Sequence, residues 1–416
     1  MSASSREQTP LDQVQVADLA NFQDGPPLEL FGRLRAECPV HWSNGIAEYP
    51  GEDGFWSVTT ADDVFEVSRD WQTYSSEIGG FVATKTADAG LPLEMQQAMF
   101  IGMDPPKHDR LKALFQRGFT PKRIAEHEPA IRAIAIEVLD RLAGRDGCDL
   151  VSDVAQPAVS RVIGSFMGLP PEDDEVWARL MNALVSAGDP DATPEGAQVV
   201  MERDVPEVFE RCGRLIAERR QTPTGDLTSV LVHAEVDGER LEDHEIVMGF
   251  VLLMAAGNDS TKATYCSGMR ALMEDREQLR MVVADPSLVP GAVEESLRMF
   301  PAFGHFARTA TRDTELHGQK IGKGEKLVMW YPSSNRDETR YEDAHRFDVT
   351  RDPEHQAFGA GGRHFCLGTA LARLELRILI EETLERYPEI QIAGTPRHVE
   401  SAFANQLKTL PVRLRP

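Results

Sequence analysis

The sequence predicts one mainly α-helical domain with small β-sheets. Three observations predict it. Apolar residues recur at three- and four-residue intervals through much of the chain. Strand signals are few and short. No Gly/Ser or Pro tract, charge block or repeat divides the 416 residues. A chain of this length buries a large core, and 41% hydrophobic with 27% charged residues describes an ordinary soluble globule. A formal charge of -23 argues against nucleic acid as a partner, because phosphate binding needs a basic footprint.

Taken in order, "MSASSREQTPLDQVQVADLANF" is polar with no apolar signal core, so a cytoplasmic protein is expected. Residues 1–20 are expected to be poorly ordered, ahead of a single catalytic domain over 21–416. "GFWSVTT" (Gly54–Thr60) reads as a strand. Glu128–Gly144 and Asp204–Arg220 read as amphipathic helices. Leu241–Glu274 predicts a long helix, nearly all-apolar through Ile246–Ala256, that runs through the centre. "PGAVEESLRMF" adds another helix. Thr314–Tyr331 reads as strand with turn residues in its middle. "LGTALARLELRILIEETLERYPE" is a last helix stopped by Pro388, and "LPVRL" a last strand. No apolar run approaches the roughly 20 residues that cross a bilayer, so stable membrane insertion is not expected.

The five cysteines, Cys38, Cys148, Cys212, Cys266 and Cys366, are odd in number and include no CxxC pair. Neither a disulfide framework nor a structural zinc site is indicated. Cys366 differs from the rest in its setting, between the glycines of "AFGAGGRHFCLG" and a helix beginning at Leu367 or Gly368. Three readings compete. A phosphate-cradling dinucleotide loop lacks its third glycine, since position 364 is His, and lacks the strand-and-crossover context. A structural turn with a passive buried cysteine is the usual fate of a free thiol. A metal thiolate would profit from unpaired N–H groups at the helix start. With no companion ligand at zinc spacing, a porphyrin would have to supply the other ligands, and glycines would let backbone pass close beneath it.

"FGAGGRHFCLG", Phe358 to Gly368, resembles the haem-binding loop of the cytochrome P450 superfamily, whose cysteine is the proximal iron ligand. The commonest form has Phe seven residues before Cys; here it is eight, an expansion found in some actinobacterial branches acting on sterols and branched lipids. Further segments are similar in order. "EESLR" matches the E-x-x-R helix at Glu295 and Arg298, and "AHRFDVTR" the meander, which implies Arg346 as third member of a structural network. "MDPPKHDRLKALFQRGFTP" matches the segment along the haem edge. It implies His108 for a propionate, with Lys112 where the family usually has Arg. Arg308 and His364 match the other propionate contacts. Singly, each of these residues reads as a solvated or core-satisfied side chain, and Glu295–Arg298 as a surface ion pair.

"AAGNDST" maps onto the family's oxygen-binding stretch through Ala256, Gly257, Asn258, Asp259 and Ser260. A mid-helix glycine costs about 1 kcal/mol relative to alanine, so something must approach the backbone at Gly257. The resemblance implies a helix locally opened over the haem, Asp259 as proton carrier and Ser260 or Thr261 as the oxygen-side hydroxyl. Serine replaces the usual threonine, so its χ1 is less restricted.

The resemblance also implies a roughly triangular single domain binding haem b, with Phe358, Gly368, Ala256 and Gly257 against the cofactor. Val247, Phe250, Val251, Met254 and Ala255, Phe303 and Phe306, and the Gly79–Phe100 stretch would line a pocket for a sterol, terpenoid or fatty or branched lipid. The activity implied is O2-dependent monooxygenation. The alternatives are a peroxide-driven peroxygenase and a non-catalytic haem or lipid carrier. With no flavin or nicotinamide fingerprint in the chain, electrons are expected from NAD(P)H through a ferredoxin reductase and a ferredoxin. Lys107, Arg110, Lys112, Arg117, Lys122, Arg123, Arg363, Arg373 and Arg377 form a basic island suited to an acidic donor, or else solvated helix faces.

Overall fold

Helices are the dominant secondary structure in a computed structural model that describes residues 10–85, 91–185, 189, 191, 194–236 and 238–415. Eight of them position the site: α1 (Lys107–Gln116), α2 (Glu128–Asp140), α3 (Gln156–Met167), α4 (Asp174–Val185), α5 (Val205–Gln221), α6 (Asp243–Glu274), α7 (Val289–Met299) and α8 (Thr369–Arg386). The 32-residue α6 is the expected central helix. Its start is fixed by a reciprocal capping box between Glu242 and Glu245. Buried residues occur all round it, which marks a helix enclosed by neighbours.

Three glycines of α6 admit those neighbours. A Cβ at Gly249 would overlap the Phe115 ring of α1, and one at Gly268 would overlap Ser296 of α7. A Cβ at Gly257 would lie 2.8 Å from Ile163 Cδ1 of α3. The glycine expected to admit a close approach therefore admits a helix side chain.

Strands β1 (Val40–Ser43), β2 (Phe55–Val58), β3 (Tyr74–Ser75), β4 (His305–Ala310) and β5 (Lys326–Trp330) form a sheet in the order β1–β2–β5–β4–β3. Only the β2–β5 pairing is parallel. Alternation along β5 sends Leu327 and Met329 into one apolar cluster and Val328 and Trp330 into another. The Thr314–Tyr331 segment divides into a hairpin, Thr314–Leu316 with Gln319–Ile321, and then β5.

The N-terminal expectation is corrected in part. Val16 and Ala17 are buried in an apolar cluster that also holds Val328 and Trp330 of β5, and His41 bonds the Val14 carbonyl at 3.0 Å, so this part of the segment is packed. Residues 1–9, and 86–90 of the Gly79–Phe100 stretch, lie outside the described residues. Among the described residues no helix is long and apolar enough to cross a membrane.

Candidate active site

The cysteine loop turns through three glycines in the left-handed region, Gly359 (φ 91), Gly361 (φ 80) and Gly362 (φ 80). The Cys366 N–H then bonds the Phe358 carbonyl at 3.0 Å, closing the loop. Gly368 is the residue before α8, and its N–H donates to Cys366 Sγ at 3.3 Å. Burial pushes the thiol's pKa up, while that N–H, Lys112 and Arg373 pull it down.

Polar groups gather beside the loop. The His108 and His364 rings lie 4.2 Å apart. Burial first, then neighbouring cations, keep His364 well below the usual histidine pKa; burial also lowers His108. His364 Nε2 meets Ser76 Oγ at 3.1 Å, and its buried Nδ1 has no partner among the described residues. Arg308, on β4, is buried, donates to the Ala307 carbonyl at 2.7 Å and forms no ion pair among the described residues. Lys112 behaves differently from these three. Its ammonium donates to the carbonyls of Arg363 and Phe365 (2.8 Å to the latter), so it braces the loop.

His108, Lys112, Arg308 and His364 line one cavity with Cys366 on one wall and α6 on another. Its empty space, mouth included, is about 1410 Å³. Leu252, Leu253, Ala256, Gly257, Ser260, Thr261 and Thr264 form the α6 wall, at the spacing of one helix face. α6 is continuous there, without the expected opening; Ser260 Oγ donates to the Ala256 carbonyl at 2.6 Å. Asp259 points away from the cavity into a buried polar cluster. Lys262 donates to Asp259 Oδ1 (2.8 Å), Gln156 Oε1 (2.9 Å) and Asn182 Oδ1 (2.8 Å), and Asn258 donates to Asp259 Oδ2 at 3.3 Å.

A second network holds the loop. Arg298 grips Glu295 with two bonds of 2.7 Å, both side chains fully buried, and donates to the carbonyls of Asn335 and Ala344 at 2.8 Å each. Asn335 Oδ1 accepts from the Gln356 N–H at 2.7 Å, which ties the network to the loop's first turn. Glu294 adds a second tie. It accepts from Arg373 of α8 at 2.6 and 2.9 Å and meets His355 at 3.2 Å. Although burial opposes it, these partners hold the Glu294 carboxyl down to about 2.

The cytochrome P450 family pattern matches residues 205–400. A methyl-branched lipid omega-hydroxylase of Mycobacterium bovis is 35% identical over 97% of this chain and 96% of its own length. A steroid C26-monooxygenase of Mycobacterium tuberculosis is 36% identical over 92% of this chain and 99% of its own. The structure of Mycobacterium marinum cytochrome P450 CYP268A2 in complex with pseudoionone superposes with a TM-score of 0.90 at 36% identity, covering 98% and 99% of the two chains. The chain belongs to the cytochrome P450 superfamily. It has that superfamily's mainly α fold with small sheets, and it is an oxidoreductase of the monooxygenase class.

Membership in the P450 superfamily implies a haem held through a cysteine thiolate, and the residues present fit one. Among the described residues no cluster of His, Cys, Asp or Glu side chains could hold a metal ion. A metal at Cys366 would therefore bring its other ligands with it, as a porphyrin does. The His364 Nδ1 and the Arg308 guanidinium, neither with an acidic partner among the described residues, would offer donors to such a group's carboxylates.

Several expectations for this P450 are corrected by its structure. Arg346 is not a side-chain member of the network. It is 60% exposed on a turn and offers only its carbonyl, to Arg298 Nη2 at 3.2 Å. Arg351 takes that place, 3.2 Å from Glu295 Oε1. Val247, Phe250, Val251 and Met254 are buried core residues off the cavity wall, Phe250 against Trp177 of α4 with centroids 5.3 Å apart. Phe303 and Phe306 do line the cavity, 5.7 Å apart, with Phe403 against both. Sequence reasoning missed Phe119 and Ile163 on this wall, and also Glu375, the one carboxyl among the described lining residues. Four of the nine residues of the basic island are offset by acids: Arg110 pairs with Glu245, Arg363 with Asp109, Arg373 with Glu294 and Arg377 with Glu128. Lys107, Arg117 and Lys122 stay exposed.

Proposed function

We propose that this chain is a haem-thiolate monooxygenase that inserts one atom of O2 into a lipophilic molecule, a sterol, terpenoid or fatty or branched lipid, and reduces the other to water. The observation that carries the reading is the juxtaposition of Cys366, its Gly368 N–H bond and a largely apolar cavity edged by His108, Arg308 and His364. When bound, the haem supplies oxygen activation, with the thiolate's electron density favouring O–O cleavage. The relatives' names, a branched-lipid hydroxylase and a steroid monooxygenase, support the substrate class, as does the aromatic wall of Phe303 and Phe306.

In this reading Cys366 ligates the iron, and Gly368 steadies the sulfur. His108, His364 and Arg308 bind the propionates, while Lys112 holds the loop from its outer side. Phe358 of the cysteine loop and Ala256 and Gly257 of the α6 wall would contact the haem. Asp259 takes protons from the solvent side, and Ser260 or Thr261 passes them into the cavity. For Asp259 to do so it must exchange its Lys262 partner for a hydroxyl, and Ser260 must release the Ala256 carbonyl. Electrons come from a ferredoxin, reduced by an NAD(P)H-dependent reductase. Because acids pair with four of the nine basic residues, docking relies on the exposed Lys107, Arg117 and Lys122 for charge attraction.

The reconstituted protein is expected to give the red-shifted carbon monoxide spectrum of a thiolate-ligated haem, and Cys366→Ala to lose it. The same spectrum in Cys366→Ala would overturn the assignment. Single turnover with a chemical reductant and a lipophilic substrate separates catalysis from haem or lipid carriage.

A further inference from the structure

We propose that His305 is a specificity-determining positioning residue: its two ring nitrogens tie two chain-distant segments to β4 and so fix the aromatic wall of the cavity. The inference rests on the monooxygenase reading for what the cavity receives, and it adds a buried group that the mechanism does not use.

His305 opens β4 and is 2% exposed. The Ala83 N–H donates to its Nε2 at 3.0 Å, which makes that nitrogen the acceptor. Nδ1 therefore carries the hydrogen, and it meets the Ala402 carbonyl at 3.0 Å. Only this one neutral form of the ring satisfies both nitrogens. Burial lowers the ring's pKa to about 4; the Ala402 bond opposes the shift and Lys326 of β5 adds to it. Segments 81–84 and 401–405 read FVAT and SAFAN, so neither brings a titratable side chain. The neutral form therefore persists at neutral pH.

Each tie completes a larger seam. Every backbone polar group of Phe81–Ala83 has a partner. Gln96 Oε1 accepts from the Phe81 and Val82 N–H groups at 2.9 and 3.3 Å. The Ala307 N–H donates to the Phe81 carbonyl at 2.7 Å, and Lys326 Nζ donates to the Val82 and Ala83 carbonyls at 3.0 Å each. His305 takes the N–H that remains. On the other side, the Gly304 N–H donates to the Phe403 carbonyl at 2.7 Å and the Asn405 N–H to the Ala302 carbonyl at 2.8 Å. Phe403 thus stands 5.0 Å from Phe303, 5.8 Å from Phe306 and 5.5 Å from the His305 ring, centroid to centroid. Phe81 lies 6.1 Å from Phe306, and Phe303 and Phe306 line the cavity. Without the imidazole the buried Ala83 N–H would lose its acceptor, a loss that shifts a local equilibrium by about tenfold. A wall held in place before a guest arrives binds it without the cost of ordering.

Hydrogen exchange at the Ala83 amide and azole titration of the full chain test this. Imidazole and clotrimazole both ligate haem iron through a ring nitrogen; imidazole is too small to lean on the wall, whereas clotrimazole carries three aryl rings. The wild-type Ala83 amide should be protected with and without haem. His305→Gln, which keeps an acceptor near the Nε2 position, should retain that protection. His305→Asn, which keeps only a donor near the Nδ1 position, and His305→Phe should lose it. His305→Phe should also bind clotrimazole about tenfold more weakly with imidazole affinity unchanged, and the Gln and Asn variants carry the test, with smaller shifts, if it fails to fold. An Ala83 amide that exchanges freely in the wild type, equal protection in the Gln and Asn variants, or clotrimazole affinity that does not move relative to imidazole overturns the proposal. With a normal carbon monoxide spectrum such a result leaves the haem reading standing. A missing carbon monoxide spectrum with Ala83 protected sinks the haem reading and not the two ties.

Discussion

Replacing Lys262 by methionine tests how Asp259 is held. The side chains are 7% and 3% exposed, and three ammonium protons meet three acceptors within 2.9 Å. Methionine preserves the length and removes the charge. It leaves a buried carboxylate with one long bond, from Asn258 at 3.3 Å, and deprives Gln156 and Asn182 of a donor. At an effective dielectric of about 20, unit charges some 3 Å apart attract by about 5 kcal/mol. Orphaning one member of a buried pair typically costs about 3–5 kcal/mol. Guanidinium denaturation followed by far-UV circular dichroism should show Lys262→Met destabilised by that amount, with an unchanged m-value. Adding Asp259→Asn removes the orphaned charge and should restore at least half of the loss. A single-variant loss below about 1 kcal/mol, or a double variant no better than the single, would refute the claim that the pair is a buried, dry interaction.

Glu375 makes stability depend on pH. Its folded pKa of about 8 exceeds the ordinary 4.5, so its cost is absent below about pH 4.5, grows with rising pH and is complete above about 8. Glu375→Gln should thus gain stability relative to wild type across that window, by up to about 5 kcal/mol at its upper end, read from denaturation midpoints at several pH values. Arg351→Ala should lower stability and haem retention by about 1–3 kcal/mol, whereas Arg346→Ala should stay within about 0.5 kcal/mol; equal losses would contradict the exchange of roles. Gly257→Ala should cost about 1–3 kcal/mol through overpacking against Ile163, and Ile163→Val beside it should recover part of that. If Ser260 or Thr261 carries protons, its replacement by alanine should lower product per reductant; no change in either variant would remove both from the relay.

What the sequence disclosed follows from which interactions are local. The E-x-x-R spacing puts Glu295 and Arg298 on one helix face, so their contact was legible. The choice between Arg346 and Arg351 was not, because both lie outside helices and strands, where no periodicity marks which side chain points inward. The glycine-rich loop and Cys366 were legible because backbone conformation and ligand chemistry share one short stretch. The cavity face of α6 was not, since a helix apolar on every side carries no marker of which side faces empty space. Nothing near α6 in sequence announced Gln156 and Asn182, whose helices α3 and α4 supply half of the Asp259 cluster. A lysine reads by default as solvated, which hid Lys262. Glu375 sits in a helix full of charges, and only tertiary packing separates it from its exposed neighbours.

The glycines of α6 have a mechanical consequence. Phe115, Ile163 and Ser296 arrive from three different helices and occupy the sites of three missing side chains along some thirty residues of rod. Sliding that rod by one position would drive side-chain carbons into each of them at once, so its axial register is locked. Ser260 and Thr261 therefore keep a constant height above Cys366 whatever enters, and any accommodation of guests of different length falls to the elements around the rod.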